Sequence, residues 1–489
     1  MKAIRLLIAA MLLTSATAAS ARDGLRRAEH QERRETPSVL FILDGATSSS
    51  SSDSSTNSDS ETTEQQLYQF DTPEKLKLHL REKDRESRAA KEFAKAAFIE
   101  SHRTGYQSTD LPLLLFTQRN NKFTFGVGGY ISLRTSYDFN GTVENIDFVP
   151  ADIPITSSYD NKQQLMMDGS TSRLYFKAMA NTRALGMIEV FVDMDFRGNT
   201  AYNDSGVVNR YSPRLRTAYA SFLGFTIGRD VTTFCDLDAA PRTIDFQGPN
   251  AYGFNYATLL RYQYSCCNDR LEMAVALEQP NVSGTYASSE GVANFKAIPQ
   301  RVPDVPMYIE YKMGAERQHH FRVTGVLRDM YLYNAITMEN TTLLGWGVKA
   351  SGNLKPFDWI DLCFNGTYGE GITPYIQDLN GSGLDFTPNP ITNTAIQTMP
   401  MFGWQAAATF YFTNRLSAAG GYSMAQVQHE NGYYSASEYK QGQYAFGNMF
   451  YDVTPRFTVA CEFIYGYHKE MSCAKNTAHR ASLMGQFSF

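Results

Sequence analysis

After its first twenty residues the chain has no apolar run long enough to cross a bilayer as a helix. The best, Leu111 to Phe116, is far shorter than the roughly 20 residues such a span needs, so a helical membrane protein is excluded. Charge of one sign is also missing. With 45 Lys+Arg against 50 Asp+Glu and a pI near 6.0, no basic surface argues for nucleic acid. The six cysteines, Cys235, Cys266, Cys267, Cys363, Cys461 and Cys473, form no paired CxxC motif and have no His at metal-ligand spacing, so neither a metal site nor a cofactor is expected. Disulfides among them are open to an exported chain, but the sequence cannot assign their pairing. Tryptophan is scarce at 3, whereas Tyr and Phe reach 29 and 31 and fall in alternating rather than helical patterns.

The N-terminus carries Lys2 and Arg5, an apolar run from Leu6 to Leu13 and small residues at Ala16-Thr17-Ala18, the layout of a cleavable secretory signal over 1–19. Residues 20–71, with an apolar island at Val39 to Leu43 and a Ser-rich run from Ser48 to Ser60, contain too little to bury a core and read as a tether. Thr72 as N-cap, Pro73 at the first position and Gly105 as a stop predict a helix over 72–105. Leu76, Leu80, Lys83, Ser87, Ala90, Ala94 and Ala97 repeat like a heptad face. A trimeric coiled coil and a solvated single helix are both open.

From residue 122 to 489 the polarity alternates in short segments. Ile188, Val190, Val192, Met194 and Phe196 oppose Glu189, Asp193, Asp195 and Arg197; Leu271, Met273, Val275 and Leu277 oppose Arg270, Glu272 and Glu278. A soluble sandwich alternates too, so the connections must decide. Tight ones near 181–186, 223–224, 265–269, 314–317, 356–358, 413–415 and 452–455 interleave with long ones near 140–171, 198–213, 230–253, 280–306, 329–341, 368–401, 428–438 and 469–477. Fifteen connections give sixteen strands with both ends on the short-turn side. This asymmetry and the even count are those of an outer-membrane antiparallel β-barrel, an all-β fold with short periplasmic turns and long outer loops. The last strand, from Ala478, sets Ala481, Leu483, Phe487 and Phe489 against Arg480, Ser482, Gln486 and Ser488. Its terminal Phe resembles the signal read by the barrel-assembly machinery of Gram-negative outer membranes.

Three segments, SPRLRTAYASF from Ser212, FTIGRDVTTF from Phe225 and DLDAAPRTIDFQGPN from Asp236, resemble the DcaP-like porins of Gram-negative outer membranes. FGVGGYISLRTSYDF from Phe125 and DFVPADIPI from Asp147 are similar to the same family. The resemblance implies a trimeric sixteen-stranded channel with an N-terminal periplasmic helix, taking up small organic anions such as dicarboxylates.

By alternation Arg134, Arg173, Lys177, Arg214, Arg216, Arg261, Arg322 and Arg328 face inward and form a candidate anion path. Each could instead be neutralised by an inward acid such as Glu189, Asp193, Asp195, Glu272 or Glu310. The connection 230–253, with Asp236, Asp238, Arg242 and Asp245, is the candidate constriction, against the alternative of a loop reaching outward. A surface adhesin and a hydrolase are the competing classes. The latter is weak, because His319, His320, His468 and His479 stand in no nucleophile motif.

Overall fold

In this computed structural model the residues described are 39–43, 85, 88–89, 91–94, 97–98, 101–118, 122–141, 143, 146–156, 163–198, 211–284, 295–335, 337–388, 396–428 and 436–489. The signal segment lies outside them, as does most of the expected helix. Lys91–Ala94, Ala97 and Phe98 carry helical backbone, but the heptad face cannot be followed.

Sixteen antiparallel strands form the wall: β1 (Phe123–Asn140), β2 (Gln164–Asp168 continued by Arg173–Thr182), β3 (Gly186–Asp195), β4 (Arg214–Phe222), β5 (Phe225–Val231), β6 (Tyr256–Cys266), β7 (Leu271–Glu278), β8 (Val305–Met313), β9 (His319–Asn334), β10 (Glu339–Phe357), β11 (Ile360–Glu370), β12 (Pro400–Tyr411), β13 (Leu416–Val427), β14 (Tyr439–Thr454), β15 (Phe457–Glu470) and β16 (Lys475–Ser488). Neighbours pair in sequence order, and β16 pairs with β1 from Ser488↔Tyr130 to His479↔Asn140, which closes the barrel and leaves its wall without a free edge.

Alternation explains why these segments are strands. On β16, Leu483 is 61% exposed and Phe487 also faces out, while Arg480, Ser482 and Ser488 are buried inside; on β1, Ile131 and Leu133 face out opposite Ser132 and Arg134. A soluble sandwich would bury the apolar rows instead. Aromatic stacks such as Phe357–Trp359 (5.6 Å) and Trp359–Phe410 (6.3 Å) sit at the short-turn end, where girdles anchor a barrel at the lipid boundary.

Two expectations need correction. The connections at 329–341 and 469–477 are not long: β9 runs to Asn334 and β10 starts at Glu339, and β15 runs to Glu470 with β16 starting at Lys475. Strand pairing there continues beyond the apolar band, so polarity alone placed the boundaries too early. The island Val39–Leu43 is a strand rather than part of a featureless tether. It pairs in parallel with Leu114–Gln118, which pairs with the start of β1 below the chain terminus, and Phe41, Phe116 and Phe125 stack at 5.1 and 4.9 Å.

Candidate functional site: the barrel lumen

A sixteen-stranded barrel is too wide to be filled by its own wall side chains. Here three connections and an N-terminal segment enter the lumen. Phe148 and Ile153 of the first long connection pack with inward Tyr444, Ile464 and Ala478. Ile372, Tyr375, Ile376 and Leu379 of the β11–β12 connection pack with Phe234, Met401, Ala425 and Tyr439.

The third is 232–255, after β5. Its carboxylate Asp236 is buried and meets His320 Nε2 at 3.0 Å and Ser351 Oγ at 2.5 Å, with Arg322 Nε at 3.9 Å. Although burial raises its pKa, the Arg322 guanidinium, then His320 and Ser351, hold Asp236 far below the ordinary carboxylate range. Lys349 Nζ donates to the Phe234 carbonyl and Gln405 Nε2 to that of Ala239 (2.8 Å). At the far side, Glu462 accepts from the backbone N–H of Ile244 (2.9 Å) and Asp245 (2.7 Å). The loop therefore crosses the lumen from β9 and β10 to β14 and β15. Its water-facing charges are Asp238 and Arg242; the Arg242 guanidinium lies 4.2 Å from the Phe450 ring.

Asp245 is the loop's titratable pin. Its carboxylate accepts from Phe148 N (3.0 Å), Gly248 N (3.2 Å) and Tyr444 Oη (3.1 Å), with Asp147, Glu462 and Arg480 as charged neighbours. Burial, then Asp147 and Glu462, push its pKa up to about 7. A raised acid pKa favours the docked loop fully below the free-loop value of about 4, and that contribution is lost as pH rises through about 7. Single-channel current fluctuations should accordingly grow between those limits and level off above. In Asp245→Asn they should not vary with pH, and a wild-type trace flat across this range would contradict the assignment.

The N-terminal segment Ser101–Asp110 completes the filling. Arg103 makes a two-pronged ion pair with Asp230 (2.6 and 2.8 Å) and lies 4.5 Å over the Tyr219 ring. Tyr106 N donates to Leu237 O, and its hydroxyl is 2.7 Å from the carbonyls of both Phe246 and Gln247. Gly105 has φ +99°, and a Cβ there would meet Leu237 O at 2.5 Å, so this contact needs glycine. Beneath, Lys177 Nζ reaches Ser101 O (2.9 Å) and Phe98 packs with Met179.

All eight cations of the expected anion path turn inward, and seven are ion-paired. Arg173 and Arg216 meet Asp193 (2.5 and 3.1 Å), and Arg214 and Arg216 meet Asp195 (2.5 and 3.2 Å). Lys177 meets Glu189 (3.5 Å), Arg261 meets Asp230 (2.7 Å) and Arg322 meets Glu310 (2.5 Å). Arg328 lies between Asp304 (3.0 Å) and Asp385 (2.9 Å), pinning the β11–β12 connection rather than lining a path. The exception is Arg134, whose Nε and Nη1 have no hydrogen-bond partner among the described residues. Sequence reasoning left Arg197 out of this set. It pairs with Asp147 (2.6 Å), and with Arg134, Arg214 and Arg216 it surrounds the loop's Phe246 ring at 4.6 to 5.9 Å. Here five guanidiniums, those four and Arg173, gather with Asp147, Asp168, Asp193 and Asp195, and Glu462 of β15 is a further acidic neighbour of Arg134.

Asp236, Glu310 and His320 bring one ligand atom each within 4.8 Å. Arg322, bonded to Glu310 and close to Asp236, already supplies the countercharge that a cation would bring there.

A closed sixteen-stranded barrel with an outward apolar face and a lumen narrowed by an in-folded, charged loop defines a porin-type outer-membrane channel. The model of the DcaP outer membrane protein family matches residues 90–489, and the chain belongs to that family. Its fold is similar to the outer membrane channel DcaP of Acinetobacter baumannii, with TM-score 0.63 and 18% identity over 75% of this chain and 98% of that one. The anion-selective porin from Comamonas acidovorans also matches, with TM-score 0.48 and 9% identity over 75% and 100% of the two chains. No curated protein matches.

Proposed function

We propose that this porin is a passive uptake channel for small hydrophilic solutes that favours organic anions such as dicarboxylates. The observation that carries the reading is the cluster of guanidiniums around Phe246, in which Arg134 has no ion-pair partner among the described residues, together with water-facing Arg242 on the loop. Because the other inward cations are locally neutralised, the field is confined to these two places. Low-dielectric walls focus it there. The eight inward cations thus divide into structural pairs and one pathway group, Arg134, while Asp236 and Asp245 hold the loop and Asp238 with Arg242 face the solute.

We further propose an assembly of three such barrels with wall contacts supplying the interface, and a periplasmic helix that ends before the lumen-filling segment Ser101–Asp110. β16, followed by Phe489 whose N donates to Gly129 O at 2.9 Å, is the strand proposed to be presented to barrel-assembly machinery before closure. A surface adhesin would leave the same barrel without solute flux.

Swelling of proteoliposomes distinguishes these. The channel should pass a four-carbon dicarboxylate faster than a neutral solute of equal size, by a factor that falls as salt is raised toward 1 M, where the Debye length is about 3 Å. Equal rates for both solutes would leave a size-selective pore and remove the anion reading.

A further inference from the structure

At the outer end of the last hairpin two lysines stand directly opposite each other, Lys469 on β15 and Lys475 on β16. Alternation puts both on the lipid-facing side: inward His468 and Ala478 are buried, while Lys469 is half-buried and Lys475 exposed. Directly opposed residues have Cβ atoms about 5 Å apart, and like charges so placed destabilise a sheet. The turn at 471–474 is too tight to let the two strands splay. Among the described residues neither lysine has an ion-pair partner; the adjacent acid, Glu470, belongs to the other face and accepts from Ser472 Oγ (3.2 Å). An anionic group brought between the two ammonium groups would relieve this repulsion.

The surroundings say what kind of group. One step below on the same face are Tyr467 and Thr477, then Tyr465 and His479 with ring centroids 5.3 Å apart, then Phe463 opposite Ala481 and, one step further, Leu483 opposite Cys461. Tyrosines above aliphatic and phenyl side chains mark the level where a bilayer passes from headgroup to acyl chain. We propose that Lys469 and Lys475 bind the phosphate of a phosphorylated lipid headgroup in the outer leaflet, whose acyl chains lie along Phe463 and Leu483. A phosphate oxygen between the two ammonium groups accepts from both, converting a repulsive pair into two charge-assisted hydrogen bonds. The site is outside the lumen and independent of solute selectivity.

The test uses the full-length protein in detergent, titrated with micelles containing lipid A, with dephosphorylated lipid A and with inorganic phosphate, binding being read by thermal shift and native mass spectrometry. Lipid A should bind, and Lys469→Gln with Lys475→Gln should weaken it by about tenfold or more, the value of one charge-assisted bond. Lys475→Glu places a carboxylate opposite Lys469; it should keep or raise the unfolding temperature and abolish lipid binding. Single-channel conductance should be unchanged in both variants, reporting an intact barrel. Equal lipid A affinity in wild type and variants, equal affinity for the dephosphorylated lipid, or an equal response to inorganic phosphate would each overturn the proposal.

Discussion

Truncation of the mature chain to begin after Asp110 is expected to raise single-channel conductance roughly twofold or more, because the current through an aqueous pore follows its open cross-section. Residues 101–110 hold lumen space between β2–β5 and the constriction loop through Arg103–Asp230, Tyr106 and Gln107, whose Oε1 accepts from Arg216 Nη2 at 2.6 Å. Removing them returns that space to water. The wall ladder β1 to β16 is untouched, so the truncated protein should still show heat-modifiable migration and keep the oligomeric state of the untruncated protein. Arg103→Ala is the milder version, since Arg261 still pairs with Asp230 at 2.7 Å. It should give intermediate conductance with more flicker. Unchanged conductance in the truncation would mean that the segment does not obstruct the path.

Substituting Arg328 by Met is expected to produce the largest loss of stability of any single luminal change. Its side chain is fully buried and donates to Asp304, Asp385 and the carbonyls of Asn281 and Gly371. Without it two buried carboxylates face each other with no countercharge, a defect worth roughly 3–5 kcal/mol. Asp385 also accepts from Thr373 N and Oγ1, so the strain is delivered to the β11–β12 connection. Denaturant unfolding in detergent should show the midpoint fall, and Asp304→Asn with Asp385→Asn added to Arg328→Met should recover most of it by removing the unpaired charges. A variant as stable as wild type would mean that water screens the site.

The sequence makes the wall legible and the lumen only partly so, for a physical reason. Period-two alternation belongs to each strand separately, so Leu483 outward and Arg480 inward can be read from β16 alone. What an inward arginine meets depends on register and on neighbouring strands. Arg173 is register-paired with Asp195, yet its guanidinium reaches along to Asp193. No local pattern gives that outcome, and a path of eight free cations therefore becomes a set of pairs with one exception. Arg197 was visible as a polar alternate of β3, but its value comes from Asp147, fifty residues away. The helix expected over 72–105 does not reach Gly105: residues 101–105 of SHRTGYQSTD are non-helical and lie in the lumen. That Gly105 serves a close approach to Leu237 is a tertiary fact. The loop 232–255 carried clearer signals, since acids next to Pro241 and small residues suit a tight path among wall groups.

Reversal potential in a salt gradient across a planar bilayer measures the proposed anion preference of the charged constriction directly. The wild-type channel should show anion preference at low salt. Replacing Arg134 and Arg242 together by Ala should move the reversal potential toward the cation side, with the difference shrinking as the Debye length falls to about 3 Å at 1 M. A wild-type channel that prefers cations, or a double variant with the same reversal potential, would contradict it.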